Sequence, residues 1–467
     1  MKSWAWECLC LAVFLVLTGW QAFIPPITGL SDNNDFSKVF GPAHICKAGP
    51  DNVNAYLVTT YAAGPKCAWA SGFRSSEILL VKLARYLSRP FTGRYRFDLR
   101  ASAALHLLVL TVALALLLNI TRHCPPGVRF VLPGLAIAMF TDVAYVAYLN
   151  SAYMDNASWV LFLLLASIAA RACISTAGRE SGIWLAAAYT IAGTLVVFSK
   201  AQHAVLGVPF AGLALLLAWR QRQTDQRAAW CVGGLMLLAG TAIMPALTPP
   251  EYRSISLYNL IFYRLAADDR NFLPELGLDD SYEKWIGTNA FSPGSPLPDP
   301  DWTRAFTSRA SFTKVAQLYL QHPSIAIREL DRELHDSVHA MRPDYMANYR
   351  REDGFAPHTI ATRFSLWSNT KIWLLTRYPH LLIWLYGLPV VAAIWHVARP
   401  RAQRPLIMPL ALALVVAGIS EFVICSLADA VDTHRHLFLF HAITETVILL
   451  TASWFLAAPS SIARELP

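Results

Sequence analysis

Residues 4–38 read WAWECLCLAVFLVLTGWQAFIPPITGLSDNNDFSK. From Trp4 to Ile24 the run is apolar and almost uncharged, and it matches the roughly 20 residues needed to cross a hydrocarbon core. Pro25-Pro26 breaks it, and the chain at once presents two carboxylates, Asp32 and Asp35. A cleaved signal peptide is the alternative reading. The apolar region is long for one, and no small-x-small cleavage site precedes a soluble domain, so the run reads as a signal anchor.

The rest of the chain follows the same rule. Its 467 residues are 55% apolar and 15% charged, with mean hydropathy +0.39. Soluble domains carry about 25% charged residues, so this is the composition of a membrane protein. The ~20-residue ruler places about ten spans, near Ala5–Ile24, Ala101–Asn119, Val128–Leu149, Ser158–Ala172, Ile183–Phe198, Val205–Ala218, Ala229–Leu247, Leu381–Val397, Ile407–Ser426 and Leu437–Leu456.

The formal charge of +8 is a topology signal rather than a nucleic-acid footprint. No Lys/Arg cluster interleaved with aromatics sits on a soluble fold. With Lys2 cytoplasmic, alternate loops hold Arg122 and Arg129, then Arg171 and Arg179, then Arg220, Arg222 and Arg227, then Arg399, Arg401 and Arg404, and finally Arg464. Against these stand three acids, Glu180, Asp225 and Glu465. The positive-inside rule therefore predicts both termini in the cytoplasm and an all-α, multi-pass protein of the plasma (bacterial inner) membrane.

Three parts follow: a transmembrane module over 1–247 with a long first external loop (25–100), a mainly helical external domain over 248–377, and C-terminal transmembrane helices over 378–467. In the first loop, SSEILLVKLARYLSRPF (75–91) has the pattern of an amphipathic helix, suited to the membrane interface or to packing on the external domain. In the external domain, the irregular stretch FSPGSPLPDPDW (291–302) precedes a helix that Asp301 is expected to cap and that continues to Gln321. A second helix is expected over 322–343, closed by Pro343, its charged face a solvated or interfacial surface rather than a catalytic one. Eight cysteines show no metal spacing, but Cys46 and Cys67 share one external loop, where disulfides persist, and are expected to pair. No phosphate-binding glycine-rich loop occurs, which argues against a nucleotide-driven motor.

Charges at membrane edges are costly and mark candidate functional positions. Four places qualify, all on the external side of this topology. They are Asp32/Asp35, Asp155 in YLNSAYMDNAS (148–158), Lys200 and His203 in FSKAQHAV (198–205), and SLADAVDTHRHLFLFH (426–441) with Asp429, Asp432, His434, Arg435 and His436. Each also has a bland reading, since Asp and Asn favour caps and turns and a lone lysine snorkels. Together they offer carboxylates to act as base or hold a cation, and Lys/Arg/His to neutralise a phosphate. Asp142, Glu421 and Glu445 within the spans are further partners for this site, or polar glue between helices.

An acidic motif in the first external loop, a second acid after the third span and a large external segment resemble the GT-C class of integral-membrane glycosyltransferases. SDNNDF, YLNSAYMDN, SKAQ and THRHLFLF look most like bacterial surface-glycan hexose transferases within it. The resemblance implies a hexose donor carried on polyprenyl phosphate, a glycan or lipid-linked acceptor, external-face transfer with inversion, and contact with membrane lipids but no nucleic acid. It implies Asp35 as general base, favoured over Asp32, which would be its neighbour or a cation ligand. Asp155 would be the second acid, orienting acceptor or metal, and Lys200, His434, Arg435 and His436 would bind the leaving phosphate. The resemblance leaves a divalent cation, Mg or Mn, open, with Asp32 and Asp35 as its candidate ligands. The motif here is Asp-Asn-Asn-Asp, not the adjacent acidic pair of several GT-C members. The other readings are a transporter or flippase, and a polymerase or ligase, of lipid-linked glycans.

Overall fold

The structure, a computed structural model, describes residues 4–174, 182–397 and 407–462, the side chains of residues 340, 395–397, 434 and 458–462 excepted. Lys2, Arg179, Glu180, Arg399, Arg401, Arg404, Arg464 and Glu465, part of the basic-loop pattern, lie outside the described residues.

Seven helices among the described residues are long and apolar enough to cross a bilayer. They are Ala5–Phe23, Leu99–Thr121, Met154–Ile174, Ala201–Arg220, Thr224–Leu247, Met408–Leu427 and Phe438–Ala457. The expected span over Val128–Leu149 is two helices, Pro126–Phe140 and Val143–Leu149, bent by 62°. Two more expected spans form apolar helices that border undescribed residues, Gly182–Val197 and Leu381–Val397, and over the described residues they are too short for the same test. The protein is thus an all-α multi-pass membrane protein, with seven full-length spans among the described residues, or eight counting the bent pair; hydropathy places about ten, two of which border residues outside the described ones.

The bend has a chemical cause. Asp142 caps the second helix, Oδ1 accepting from the Ala144 N–H at 2.9 Å and Oδ2 from the Ser368 N–H at 2.9 Å. Gln21 Nε2 donates to the Thr141 carbonyl at 2.8 Å. Side chains therefore satisfy the backbone groups that the break frees, which is what the membrane interior demands.

Met154–Ile174 runs through the centre of the bundle, flanked by Leu99–Thr121, Gly182–Val197 and Phe438–Ile462. Aromatic rings fill the space above it: Tyr148 stacks on Phe438 at 3.7 Å, and Trp159 and Phe438 each lie 5.3 Å from Tyr145. One end of the bundle carries the long loops. There the chain leaving the first span runs inward as a buried strip, the Gly29 N–H donating to the Asn348 carbonyl at 3.0 Å and the Leu30 N–H to Asn150 at 3.2 Å. A Cβ at Gly29 would stand 2.6 Å from the Asn150 carbonyl oxygen, so only glycine permits this approach. A two-stranded antiparallel sheet, Thr60–Ala62 with Arg96–Asp98, closes the first loop, and Cys46 and Cys67 are joined by a disulfide within it.

The 248–377 segment has its own small core, from Leu257 to Ile325, while Leu334, Val338, Met341 and Met346 pack into the bundle core. The helix expected over Asp301–Gln321 is two, Pro300–Arg309 and Phe312–Gln321. Asp299, not Asp301, caps the first, and Ser311 caps the second by accepting from the Lys314 N–H at 3.3 Å, so the extended Ala310 between them ends one helix as another starts. The following helix, Pro323–Asp336, ends before Pro343 and passes into a 3-10 turn. Its charged face is not wholly solvated: Glu329 and Glu333 are fully buried against Arg264, at 3.3 and 2.6 Å.

Candidate active site

The Asp-Asn-Asn-Asp motif folds as a tight reversal whose polar groups bond one another. Asp32 Oδ1 accepts from the Phe36 N–H at 3.0 Å, and Asn33 Oδ1 accepts from the Asp35 N–H at 3.2 Å. The Asn33 N–H donates to the Tyr153 hydroxyl at 3.0 Å, which donates in turn to the Ser31 carbonyl at 2.8 Å. Asn34 takes the left-handed conformation, φ 81°, that asparagine tolerates best after glycine. The turn feeds a short helix, Ser37–Ala43, that places Lys38 one turn beyond Asp35.

Asp35 lies between two cations. Its Oδ1 is 2.7 Å from Lys38 Nζ, and its Oδ2 is 2.5 Å from Arg435 Nη2, four hundred residues away in sequence. Arg435 also contacts Asp432 at 2.9 Å, lies 4.6 Å over the Tyr153 ring, and keeps an Nε with no acceptor among the described residues. Asp432 accepts a hydrogen bond from the Tyr345 hydroxyl and sits at φ 61°, a strained backbone for a non-glycine residue. Burial alone would raise the Asp35 carboxyl, yet Arg435 and Lys38 outweigh it and hold the group well below the usual carboxylate range. Burial lowers Lys38, with Arg435 and Lys200 adding to the effect and Asp35 opposing it. Arg435, which burial would push down, is held well above its ordinary value by Asp432, Asp35 and Asp155.

Lys200 Nζ meets Asp155 Oδ1 at 3.0 Å, both side chains buried. His436 Nδ1 lies 3.7 Å from Asp429, whose Oδ2 accepts from the Ser256 hydroxyl at 3.1 Å. Burial pushes the Asp429 carboxyl up to about 6 against bonds from Ala430, Val431 and Ser256.

These groups surround one cavity system at the loop-bearing end. A central cavity of about 640 Å³ is lined by Asp35, Lys38, Tyr252, Tyr345, Asp432 and Arg435, with Asp429 and His436 at one side. A second cavity of about 270 Å³ shares Tyr252, Ser256, Asp429 and His436 with it. Lys200 and Gln202 line this second cavity, and its remaining wall is mainly apolar, including Phe73, Met154, Met244, Leu247, Pro249 and Ile424.

Of the residues expected from sequence, Asp35, Arg435 and His436 line the central cavity, Lys200 lines its apolar neighbour, and Asp155 holds Lys200. The side chain of His434 lies outside the described residues. His203 turns away, its Nδ1 2.7 Å from buried Glu421, and Glu445 pairs with Lys371 at 2.8 Å, so with Asp142 these acids tie helices together. Lys38, Tyr153, Tyr252 and Tyr345 were not picked out. Only Lys38 carried a signal, its i+3 spacing from Asp35 on a helical turn.

A divalent ion finds no natural place between Asp32 and Asp35. Both Asp35 oxygens already face cations, whose charge repels another, and Asp32 opens into a different cavity. Among the described residues the group with metal-ligand spacing is the exposed trio Asp331, His335 and His380, none of which lines these cavities.

Neither the curated proteins nor the solved structures contain a match to this chain. A family model does match, over residues 2–466, nearly the whole length. Its extent, together with the helical bundle it covers, places the chain in the YfdI N-terminal transmembrane domain family.

Proposed function

We propose that this protein is a membrane glycosyltransferase. It moves a hexose from a polyprenyl-phosphate donor to a glycan or lipid-linked acceptor, with inversion, on the external face of the bacterial inner membrane. Membership of the YfdI family, a GT-C-like group, supports the reading. The observation that carries it is the Lys38–Asp35–Arg435 cluster, which lines a polar cavity that adjoins an apolar one at Tyr252, Ser256, Asp429 and His436.

A prenyl-linked donor has a long apolar tail, a phosphate at the membrane edge and a polar sugar. The apolar cavity suits the first isoprene units, and Lys200, His436 and Arg435 stand where the phosphate would enter. As the sugar–phosphate bond breaks, the phosphate gains negative charge, and fixed cations in a water-poor site, here Lys200 and Arg435, stabilise it most. His436, which burial and then Lys200, Arg435 and Lys38 hold well below the ordinary imidazole value, serves as a neutral hydrogen-bond partner. Asp35 and Asp155 keep those cations in place before the donor arrives, which limits repulsion within the cluster. A flippase needs no such carboxylate-and-cation pair at one face, and transporters place their polar sites near the bilayer midplane.

The test is transfer, or hydrolysis to free sugar, from a polyprenyl-phosphate [14C]hexose by the full chain in nanodiscs. Arg435→Ala should lower the rate by about 10²–10³-fold, the usual loss of one transition-state charge contact. An Arg435→Ala protein as active as wild type, or no turnover of any hexose donor by the wild type, sinks the reading.

A further inference from the structure

Asn34 lines two cavities, the central one and a polar one of about 450 Å³. Asp35 opens into the first and Asp32 into the second, so the Asn33-Asn34 spacer divides the two carboxylates between adjoining compartments. The polar cavity is walled by Lys47, Asn52, Val53 and Tyr56. Backbone bonds hold these walls: the Asn54 N–H donates to the Asp32 carbonyl and the Leu57 N–H to the Tyr349 carbonyl, each at 2.9 Å. The Cys46–Cys67 disulfide anchors the end that carries Lys47, and the Arg351 guanidinium stacks 4.7 Å from the Tyr56 ring.

Its size falls within the roughly 300–1,000 Å³ of small-molecule sites. Two amides, an ammonium and a carboxylate meet hydroxyl groups as donors and acceptors, while the Tyr56 ring and Val53 cover a C–H face. That is the chemistry of a sugar ring. An isoprenoid chain finds its match on the other side, among Phe73, Met244 and Leu247.

We propose that the polar cavity is the acceptor subsite, that it takes one hexose unit of a glycan, and that Asp32 rather than Asp35 receives the proton of the attacking hydroxyl. This rests on the glycosyltransferase reading above. The acceptor oxygen bonds to the anomeric carbon, and the bond from that carbon to the phosphate oxygen breaks, leaving its electron pair on the phosphate. The hydroxyl proton passes to the Asp32 carboxylate. Inversion needs the nucleophile opposite the leaving group, and a base on one side of Asn34 with the phosphate cations on the other meets that need. Burial pushes the Asp32 carboxyl up to about 6, opposed by bonds from the Phe36 and Asn34 N–H groups, raised further by Asp35 and lowered by Lys47. Tyr61 and Tyr153 also feel its charge. Asp35 instead stays ionised against Lys38 and Arg435.

Saturation-transfer NMR on the solubilised full chain, with methyl hexosides and their disaccharides as probes and no donor present, tests the subsite. At least one probe should give a difference spectrum that Asn52→Ala with Tyr56→Ala abolishes and Arg435→Ala retains. No signal from any probe, or a signal that survives the double variant, overturns the subsite. Transfer kinetics test the base. Asp32→Asn should cut kcat by about 10²–10⁴-fold, the range for a lost general base, with donor KM little changed. A base acts unprotonated, so the wild-type rate should fall as pH drops through about 6. Asp429 titrates in the same region, so the comparison with Asp32→Asn decides. An acid limb unchanged in that variant, or loss of kcat in Asp35→Asn but not in Asp32→Asn, overturns the assignment. Because a raised carboxyl costs stability once ionised, Asp32→Asn should not lower Tm at neutral pH, which separates lost chemistry from misfolding. A wild-type chain that neither transfers nor hydrolyses the donor sinks the enzyme reading and the proton role together, while hexoside binding still decides the subsite.

Discussion

Lys371 and Glu445 meet at 2.8 Å with their side chains 6% and 0% exposed, and the Trp367 indole donates to the same carboxylate oxygen at 2.9 Å. Such a pair is worth little against an apolar replacement, but removing one partner strands a buried charge at a cost of about 3–5 kcal/mol. Glu445→Ala should therefore lower Tm sharply, and Lys371→Met added to it should restore most of the loss; a single variant as stable as wild type contradicts the pairing. The same logic explains what single residues gave away in the sequence. Asp32, Asp35 and Arg435 were visible because charges beside spans are costly. Their division of labour was not, because it depends on Asn34 turning the chain and on a contact between Asp35 and Arg435 across four hundred residues. Asp142, an acid within an expected span, is a helix cap at the 62° break, a role the hydropathy pattern does not reveal.

At the scale of elements, Ser76–Thr92 joins the two readings its amphipathic pattern left open. Ser75 caps it, its hydroxyl accepting from the Glu77 N–H at 3.1 Å, and Ile78, Val81 and Ala84 are buried in the bundle-side core. Leu79, Leu83, Tyr86, Leu87 and Phe91 remain exposed, Phe91 to 90%. Water-facing apolar rows of that size are unfavourable, whereas a bilayer interface accepts them with Lys82, Arg85 and Arg89 alongside. A nitroxide at Phe91→Cys should thus be relaxed more by lipid-soluble oxygen than by an aqueous nickel complex, and the opposite ranking would take this helix out of the interface. Helix existence was legible from periodicity here and in most spans. Helix ends were not: the break at Ala310 depends on one serine hydroxyl.

For the whole molecule, the cavities, the disulfide and the 248–377 segment gather at one end of the bundle, whereas the arginines Arg122, Arg129, Arg220, Arg222 and Arg227 belong to the short connections between spans. From the positive-inside rule we propose that those connections face the cytoplasm and the cavity end faces outward. A disulfide fits that orientation, since cytosolic thiols are kept reduced. Orientation also bears on chemistry, because a prenyl-linked donor used outside must already have crossed the membrane, while one used inside need not. Single cysteines in a background retaining only Cys46 and Cys67 settle the matter. Ser292→Cys, in the loop ahead of the Pro300–Arg309 helix, should react with a membrane-impermeant maleimide on intact cells. Gln223→Cys, between the Gly207–Arg220 and Thr224–Ile243 helices, should react only after the cells are opened. Labelling of residue 223 but not residue 292 on intact cells would invert the molecule and move the proposed transfer to the cytoplasmic face, where the site geometry would stand but the donor would need no flipping.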